Sequence, residues 1–192
     1  MIIEKLFRII KNPALRNSWV VKSRILQEGL ITCFLLYNSV ASKTGLFKKR
    51  IGRSCGKRNV IDPHAVVASN NLILGNDCHI CANVVLGPST RIGDNVIIES
   101  GTIVGSEGFE IRRIGDRLIP VVHVGGVNIC NNVVIGSHVC IDKSLSGKST
   151  EISEHSWIGD YDHVAHGVRI GKHCTIASSV MIGGKVTIGD AV

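Results

Sequence analysis

An aliphatic residue returns at nearly every sixth position from residue 61 onward, and this spacing restricts the fold more than any other feature of the chain. The positions are Ile61, Val67, Leu74, Ile80, Leu86, Ile92, Ile98, Val104, Ile129, Ile135, Ile141, Ile152, Ile158, Val164, Ile170, Ile176, Ile182 and Ile188. An amphipathic helix repeats every 3.6 residues and a half-buried strand every two residues, so neither produces this spacing. A fixed six-residue period instead predicts a parallel β-helix, in which short strands stack on counterparts one coil away.

The repeat resembles the left-handed hexapeptide family, in which three six-residue units form each coil. That handedness is an exception to the right-handed rule for parallel crossovers. The 18 aliphatic positions then correspond to about six coils. We therefore expect an all-β protein, a left-handed parallel β-helix over residues 60–192, with an inserted loop at 105–128 where the spacing lapses.

Residues 1–59 differ in charge from the rest of the chain. They hold 13 Lys and Arg against two Glu, a net charge of +11, whereas the remainder has a net charge of −4. Ile3, Leu6, Phe7 and Ile10 share one helix face, so a short basic α-helical segment is predicted before the β-helix. This segment either lies in solvent or in trimer contacts, or it makes a peripheral contact with an anionic inner membrane. No nucleic-acid-binding motif accompanies the charge, so no nucleic-acid partner is expected.

The sequence contains neither a membrane span nor a disulfide framework. The longest apolar run, Leu30–Tyr37, is far shorter than the ~20 residues that cross a bilayer, and no secretory cleavage pattern follows it. The seven cysteines show no regular disulfide pattern, and Cys78 and Cys81 lack a second ligand pair at a zinc-ribbon distance. We therefore expect a cytoplasmic protein with reduced thiols and no metal site.

Two histidines flank an aliphatic position in the stretch HVAHGV. His163 immediately precedes Val164 and His166 follows it by two places, so both are expected to project outward at a corner. Solvated surface histidines are the simplest interpretation. The longer stretch HVAHGVRIGKHCTIASSVMIGGKV, however, resembles the active coil of the lipid A pathway acyltransferases. GSEGFE at 105–110 and VNICNNVVIGSHVCIDKS at 127–144 resemble segments of one branch, the UDP-3-O-acylglucosamine N-acyltransferases.

The resemblance implies a role for three residues of this coil. His166 matches the general base, a task that suits imidazole because its ordinary pKa of ~6.5 lies near working pH. His163 matches Gln in the N-acyltransferases and His in the related O-acyltransferases, so its implied role is substrate positioning. Gly184 lies about one coil beyond His166, where a backbone N–H is expected to stabilise the oxyanion.

Four further residues belong to the expected site or its surroundings. The resemblance implies that Gly108 and Phe109 of the inserted loop contribute to substrate binding. Asp160 either joins them or is a solvated corner residue. Asp162 falls in the inward column, where an unpaired carboxylate is unfavourable by several kcal/mol, so it is expected to be protonated, paired or turned outward.

The function that the resemblance implies is acyl transfer to an amino sugar, nucleotide-linked as in lipid A N-acyltransfer. The co-substrate is an acyl group on acyl carrier protein or on coenzyme A, with no bound cofactor. The alternative is an acetyl-CoA-dependent sugar O- or N-acetyltransferase of surface polysaccharide synthesis. A homotrimer is expected, because the family's site lies between adjacent subunits. A purely structural module remains a further alternative, whereas the spacing of His163, His166 and His173 does not resemble that of β-helical carbonic anhydrases.

The chain departs from the family pattern in three places. Residues 1–59 stand where the N-acyltransferases carry a larger domain that grips uridine. Lys185 occupies a position that related O-acyltransferases fill with His. The six-residue series stops at Val192 in the middle of a coil, which predicts either an incomplete chain or a last strand edge that another segment covers.

Overall fold

The computed structural model describes residues 28–29, 31–32, 35–36, 54–67 and 71–192. It divides into two compact units: a β-helix within residues 45–109 and 122–192, and a second unit that includes residues 110–121. The described residues between 28 and 36 are helical, whereas the predicted amphipathic face at residues 3–10 lies outside the described residues. The predicted membrane or trimer contacts of residues 1–59 lie almost entirely outside the described residues. No helix in the described part of the chain has the length and apolar character needed to cross a membrane.

The strands are short and evenly spaced along the chain. In order they are β1 Ser54–Cys55, β2 Val60–Ile61, β3 Val66–Val67, β4 Leu72–Leu74, β5 His79–Ile80, β6 Val85–Leu86, β7 Thr90–Ile92, β8 Ile97–Ile98, β9 Ile103–Ser106, β10 Ile111–Ile114, β11 Arg117–Pro120, β12 Gly126–Ile129, β13 Val134–Ile135, β14 Cys140–Asp142, β15 Ser149–Ile152, β16 Trp157–Ile158, β17 His163–Val164, β18 Arg169–Ile170, β19 Thr175–Ile176, β20 Met181–Ile182 and β21 Thr187–Ile188.

All strands except β10 and β11 belong to three parallel sheets that form the sides of a prism. The first sheet has the order β1-β4-β7-β12-β15-β18-β21, the second β2-β5-β8-β13-β16-β19 and the third β3-β6-β9-β14-β17-β20. Consecutive strands along the chain therefore lie in different sheets, and each strand pairs with its counterpart one coil away. The predicted left-handed parallel β-helix is confirmed. Its first strand among the described residues is Ser54–Cys55, a few residues before the predicted start at residue 60.

A left-handed residue three places after the aliphatic position turns the chain at most of the described corners. Asp77, Asn83 and Asn95 have φ angles of 56°, 59° and 55°, and Gly101 has a φ of 75°. Asn, Asp and Gly adopt this backbone region at lower energy than β-branched or bulky residues do. The sequence therefore specifies both the buried column and the corners that redirect the chain to the next sheet.

Side-chain oxygens bind the backbone of an adjacent coil along one edge of the prism. Asp94 Oδ1 accepts the N–H of Asn76 at 2.7 Å, and Asn131 Oδ1 accepts the N–H of Asp94 at 2.8 Å. Asp160 makes an equivalent contact at a different edge, after the second sheet, because its Oδ1 accepts the N–H of Ser137 at 2.8 Å. The carboxylate of Asp160 thus belongs to a structural ladder, and its predicted part in substrate binding stays a prediction.

The core is a continuous column of aliphatic side chains. Small inward-facing residues accompany it, and polar side chains among them hydrogen-bond to the backbone. Thr102 donates to the carbonyl of Gly136 at 2.7 Å. Asp162, only 1% exposed, accepts the N–H of Val180 at 2.7 Å. Burial raises the pKa of Asp162 and outweighs this hydrogen bond, which lowers it. Of the three outcomes expected for Asp162, the structure shows an inward side chain with one oxygen paired.

Gly75→Ala is expected to destabilise the β-helix by about 1–3 kcal/mol, because the new methyl group would collide with the backbone carbonyl of Gly93 one coil away. A backbone oxygen held in the sheet cannot move as a side chain can. Gly189→Ala is the matched control, since Gly189 has the same place in its six-residue unit but nothing within 4 Å of a new Cβ. Urea unfolding measures both variants, and equal loss of stability in the two would contradict the packing argument.

The inserted segment leaves the β-helix after β9 and returns at β12. Residues between them form the antiparallel hairpin β10–β11, in which Ile111 pairs with Pro120 and Ile114 with Arg117. The hairpin belongs to the second compact unit, whereas residues 105–109 and 122–128 belong to the β-helix. The pairing of β14 with β9 shifts register between Ile141 and Asp142, next to the point where the insertion leaves.

Candidate active site

His166 follows strand β17 by two residues and lies outside the aliphatic core. Its side chain is nevertheless buried, with 9% exposed. The ring meets the ring of His123 edge to face, with centroids 5.1 Å apart and planes at 65°. The prediction that His166 occupies an exposed corner is therefore wrong, because His123, in the segment that precedes strand β12, packs against its ring.

Gly184 of the next coil also lies against the His166 ring. A Cβ at Gly184 would stand 2.7 Å from His166 Nε2 and 2.8 Å from Cε1, closer than real Cβ contacts. The backbone of this coil is tied to the histidine, since the N–H of Lys185 donates to the carbonyl of His166 at 3.0 Å. The predicted neighbours His166 and Gly184 are thus brought together by stacking of consecutive coils.

His123 is a fully buried histidine that the sequence analysis did not single out. It is 1% exposed, and its backbone N–H donates to Glu107 Oε2 at 3.1 Å. Its ring Nδ1 lies 3.7 Å from the same carboxylate oxygen. A Cβ at Gly108 would stand 2.6 Å from His123 Nε2, so only glycine fits there. Gly108 therefore supports the buried imidazole, whereas the neighbouring Phe109 is 83% exposed.

An ion pair fixes the loop carboxylate beside these rings. Lys143 Nζ donates to Glu107 Oε1 at 2.5 Å, and the lysine side chain is 9% exposed. Burial alone would raise the pKa of Glu107, but the hydrogen bond and charge of Lys143, with the N–H of His123, hold this pKa below its ordinary value. The ionised carboxylate therefore connects strand β14 to the segment that carries His123.

Glu107→Gln is expected to lower stability at neutral pH by about 1 kcal/mol or less, since the carboxylate is partly exposed and solvent screens its ion pair. A lowered folded-state pKa stabilises the protein above the unfolded value of 4.5, and this contribution is lost as pH falls through the folded value. The difference between wild type and variant should therefore shrink as pH falls to about 3. Thermal unfolding over this range checks it, with Asp116→Asn as a control for losing a carboxylate. A difference independent of pH would contradict the assignment.

A second network orients His163. Its Nε2 lies 3.0 Å from Asp142 Oδ2, and Asp142 Oδ1 accepts the hydroxyl of Ser106 at 2.7 Å. Ser106 Oγ is also 3.1 Å from Cys140 Sγ. Asp142 is 3% exposed, whereas the His163 side chain is 34% exposed. The buried carboxylate thus fixes the orientation of a solvent-accessible imidazole. The positioning role of His163 stays a prediction.

Several other described histidines stack in pairs, and most of the described cysteines are at least partly buried. The rings of His155 and His173 stack at the corners of adjacent coils, with centroids 4.9 Å apart, and His138 stacks on Tyr161 at 5.1 Å. The six described cysteines are free thiols, as expected. Burial raises the pKa of four of them, which lowers their reactivity as nucleophiles; these are Cys78, Cys81, Cys130 and Cys140.

The repeat units match a known family. The family model for the bacterial transferase hexapeptide, six repeats in length, matches residues 71–106 and 149–184. The two matched blocks of the chain are similar to this hexapeptide repeat. The second matched block includes strand β17 and both histidines of the candidate site.

Curated relatives of this hexapeptide-repeat protein are named as N-acyltransferases. The UDP-3-O-acylglucosamine N-acyltransferase 1 of Gloeobacter violaceus is 37% identical over 87 residues, which cover 45% of this chain and 25% of the relative. The UDP-3-O-acylglucosamine N-acyltransferase of Anaeromyxobacter dehalogenans strain 2CP-C is 35% identical over 143 residues, covering 71% of this chain and 40% of the relative. The hexapeptide-repeat protein thus spans less than half the length of these relatives.

Solved structures share the fold at lower identity. The UDP-N-acetylglucosamine acyltransferase from Campylobacter jejuni superposes with a TM-score of 0.55 at 24% identity, covering 72% of this chain and 58% of that chain. A variant of the N-acyltransferase AntD from Bacillus cereus, in complex with dTDP and coenzyme A, has a TM-score of 0.54 at 18% identity. The match covers 71% of this chain and 74% of that chain. These likenesses establish the β-helical fold of the hexapeptide-repeat protein.

Proposed function

We propose that the chain is an acyltransferase that moves an acyl group from a thioester to the amino group of a nucleotide-linked sugar. The observation that carries this proposal is the placement of His166, whose ring lies against the Gly184 backbone and the buried His123. A base held in one orientation at a corner of the β-helix is suited to take a proton from an attacking amine. The curated relatives with this sequence pattern are named for N-acyl transfer to a UDP-linked glucosamine.

In the proposed reaction the amine nitrogen attacks the thioester carbonyl carbon, and the neutral His166 imidazole accepts the proton that the nitrogen releases. The tetrahedral intermediate collapses as the carbon–sulfur bond breaks, and the thiolate leaving group takes the proton back from His166 to become a thiol. The amide product and the thiol balance the substrates. The backbone N–H of Gly184 stabilises the oxyanion in this scheme. No enzyme nucleophile is required, because the thioester is already activated.

Three neighbouring residues position the reacting groups in this proposal. Asp142 holds the His163 imidazole at 3.0 Å, so that the exposed face of His163 contacts the substrate. His123 packs against His166 and limits rotation of its ring. Holding a base in a single orientation contributes to the rate, since small misplacements of a catalytic group slow a reaction strongly.

The donor is proposed to be a long acyl chain on acyl carrier protein or on coenzyme A. Coenzyme A is present in the AntD complex from Bacillus cereus, which supports a phosphopantetheine thioester as co-substrate. The second candidate is an acetyl-CoA-dependent sugar O- or N-acetyltransferase. It is favoured by His163, because this position is shared with O-acyltransferases rather than with the N-acyltransferase branch.

The chain is further proposed to act as a cytoplasmic homotrimer, with residues 1–59 in trimer contacts or at the inner membrane. Apolar side chains at outward positions of the second and third sheets support an assembly through these faces. Those exposed by 40% or more are Val60, Val66, Ile103, Trp157 and Met181.

The purified chain should transfer a long acyl group from acyl carrier protein to UDP-3-O-acylglucosamine and form an amide that mass spectrometry detects. Acetyl-CoA with the same acceptor, and acyl carrier protein with a UDP-linked sugar that lacks the free amine, provide the comparisons. Transfer from acetyl-CoA alone would favour the acetyltransferase candidate. Absence of transfer from every thioester, by a folded chain, would contradict the proposed function.

A further inference from the structure

Three metal-ligating side chains of different chemistry meet on the outer side of the third sheet. Cys140 Sγ, a carboxylate oxygen of Asp142 and a ring nitrogen of His163 all lie within 4.8 Å of one another. Strands β14 and β17 pair in register, so that Cys140 lies directly beside His163, and Asp142 follows Cys140 by two residues. No metal site was expected, because Cys78 and Cys81 lack a second ligand pair at a zinc-ribbon distance; Asp142 and His163 are 21 residues apart along the chain.

The distances within this cluster are close to those that a tetrahedral ion requires. Zinc binds sulfur at about 2.3 Å and nitrogen or oxygen at about 2.0–2.2 Å, so neighbouring ligand atoms stand about 3.5 Å apart. His163 Nε2 is 3.0 Å from Asp142 Oδ2, and Cys140 Sγ is 3.9 Å from Asp142 Oδ1. Small side-chain rotations would therefore place all three donors around one ion.

The charge of the cluster also favours a cation. The carboxylate of Asp142 is almost fully buried, and the adjacent Lys143 directs its ammonium group to Glu107 at 2.5 Å. Among the residues that the structure describes, His163 is the basic group within ion-pair distance of Asp142. Ser106 and His163 already hydrogen-bond this buried carboxylate, and a cation would add the opposite charge that favours its ionised form.

The third sheet adds a further soft donor next to the cluster. Met181 pairs in register with His163 on the following coil and is 80% exposed. Thiol and thioether sulfur favour zinc and other soft cations over magnesium or calcium, which take oxygen ligands. The partly exposed His163 leaves a path from solvent to the cluster.

We propose that Cys140, Asp142 and His163 form a binding site for one thiophilic divalent cation, with Zn²⁺ as the representative ion. Cys140 loses its thiol proton to solvent on binding, and His163 coordinates through Nε2 and keeps its proton on Nδ1. The fourth position is filled by water or by the Met181 thioether. The bound ion would replace the hydrogen bond between His163 and Asp142. The site shares Asp142 and His163 with the proposed acyl transfer, but metal binding is measured without acyl donor or acceptor.

Cobalt is the probe that distinguishes this site, because a thiolate ligand gives Co²⁺ a charge-transfer band in the near ultraviolet. The metal-free full chain should bind one equivalent of Co²⁺ with this band, and Zn²⁺ should displace it. Cys140→Ser should abolish the band, and His163→Gln should weaken Zn²⁺ binding at least tenfold in competition with a chromophoric chelator. Cys81→Ser is the matched control, since Cys81 also lies 3.5 Å from a carboxylate, that of Glu99, and should keep wild-type binding.

Two results would overturn the proposal. One is the absence of the thiolate band in the folded wild-type chain at one equivalent of Co²⁺. The other is a band that survives Cys140→Ser or disappears equally in Cys81→Ser. Circular dichroism melts test whether each variant is folded. If Cys140→Ser does not fold, Cys140→Ala replaces it. Since these readouts use metal alone, failure of the acyltransferase assay leaves this test intact.

Discussion

Replacing His166 with alanine is expected to lower kcat by about 100- to 10,000-fold, the range that removal of a general base typically produces. The proposed reaction needs a neutral imidazole to accept the amine proton, and alanine offers no proton acceptor. KM for the acceptor should change much less, because His163 and the inserted loop are proposed to hold the substrate. Steady-state kinetics with a saturating acyl donor measure both constants.

Stability must be measured beside this rate, because His166 is buried and contacts His123. The alanine variant leaves a gap beside that ring, and we expect it to lose about 1 kcal/mol of unfolding free energy. His166→Asn fills more of the space and is the second variant. It should be as inactive as the alanine variant but closer to wild type in stability. Near-normal turnover in either folded variant would exclude His166 as the base.

Gly184→Ala is expected to lower kcat by about 100-fold, the effect of displacing a catalytic group by roughly 1 Å. The new Cβ would stand 2.7 Å from His166 Nε2, so the imidazole must move away from its position. The methyl group also lies beside the N–H that is proposed to stabilise the oxyanion. Transfer assays measure the loss, and histidine NMR signals of the unliganded chain report the displaced ring.

Gly183→Ala is the matched control for this variant. Gly183 is the adjacent residue, yet nothing lies within 4 Å of a Cβ built on it. Its activity and stability should therefore stay near those of the wild type. If both glycine variants lost activity equally, backbone restriction rather than displacement of His166 would explain the result.

The fold was predictable because the repeat encodes local and repetitive information. Each unit supplies one buried aliphatic residue and one corner residue, and each coil repeats the pairing of the coil before it. Asp94 and Asn131, for example, bind the neighbouring coil in the same way, so that the pattern at one corner describes the others. The handedness of the β-helix was predicted from the family resemblance, because a six-residue period alone does not distinguish a left-handed β-helix from a right-handed one.

The site was predictable only in part. The motif and the resemblance identify His163, His166 and Gly184, because all three lie in consecutive coils of regular repeat. His123 and Glu107 were missed, since they belong to the insertion, where no period relates a residue to its neighbours. A buried histidine beside a Gly-Phe loop has no sequence signal apart from its position in that insertion.

The sequence by itself determined the coil, its corners and the positions that face the core, because these depend on contacts that recur every six residues. Only the tertiary structure decided that His166 is buried rather than exposed, since its cover comes from His123, 43 residues earlier in the chain. The tertiary structure also brought Asp142 to His163, across 21 residues. A contact that an insertion or a bulge makes once with a coil does not recur along the chain. No repeating sequence pattern therefore predicts it.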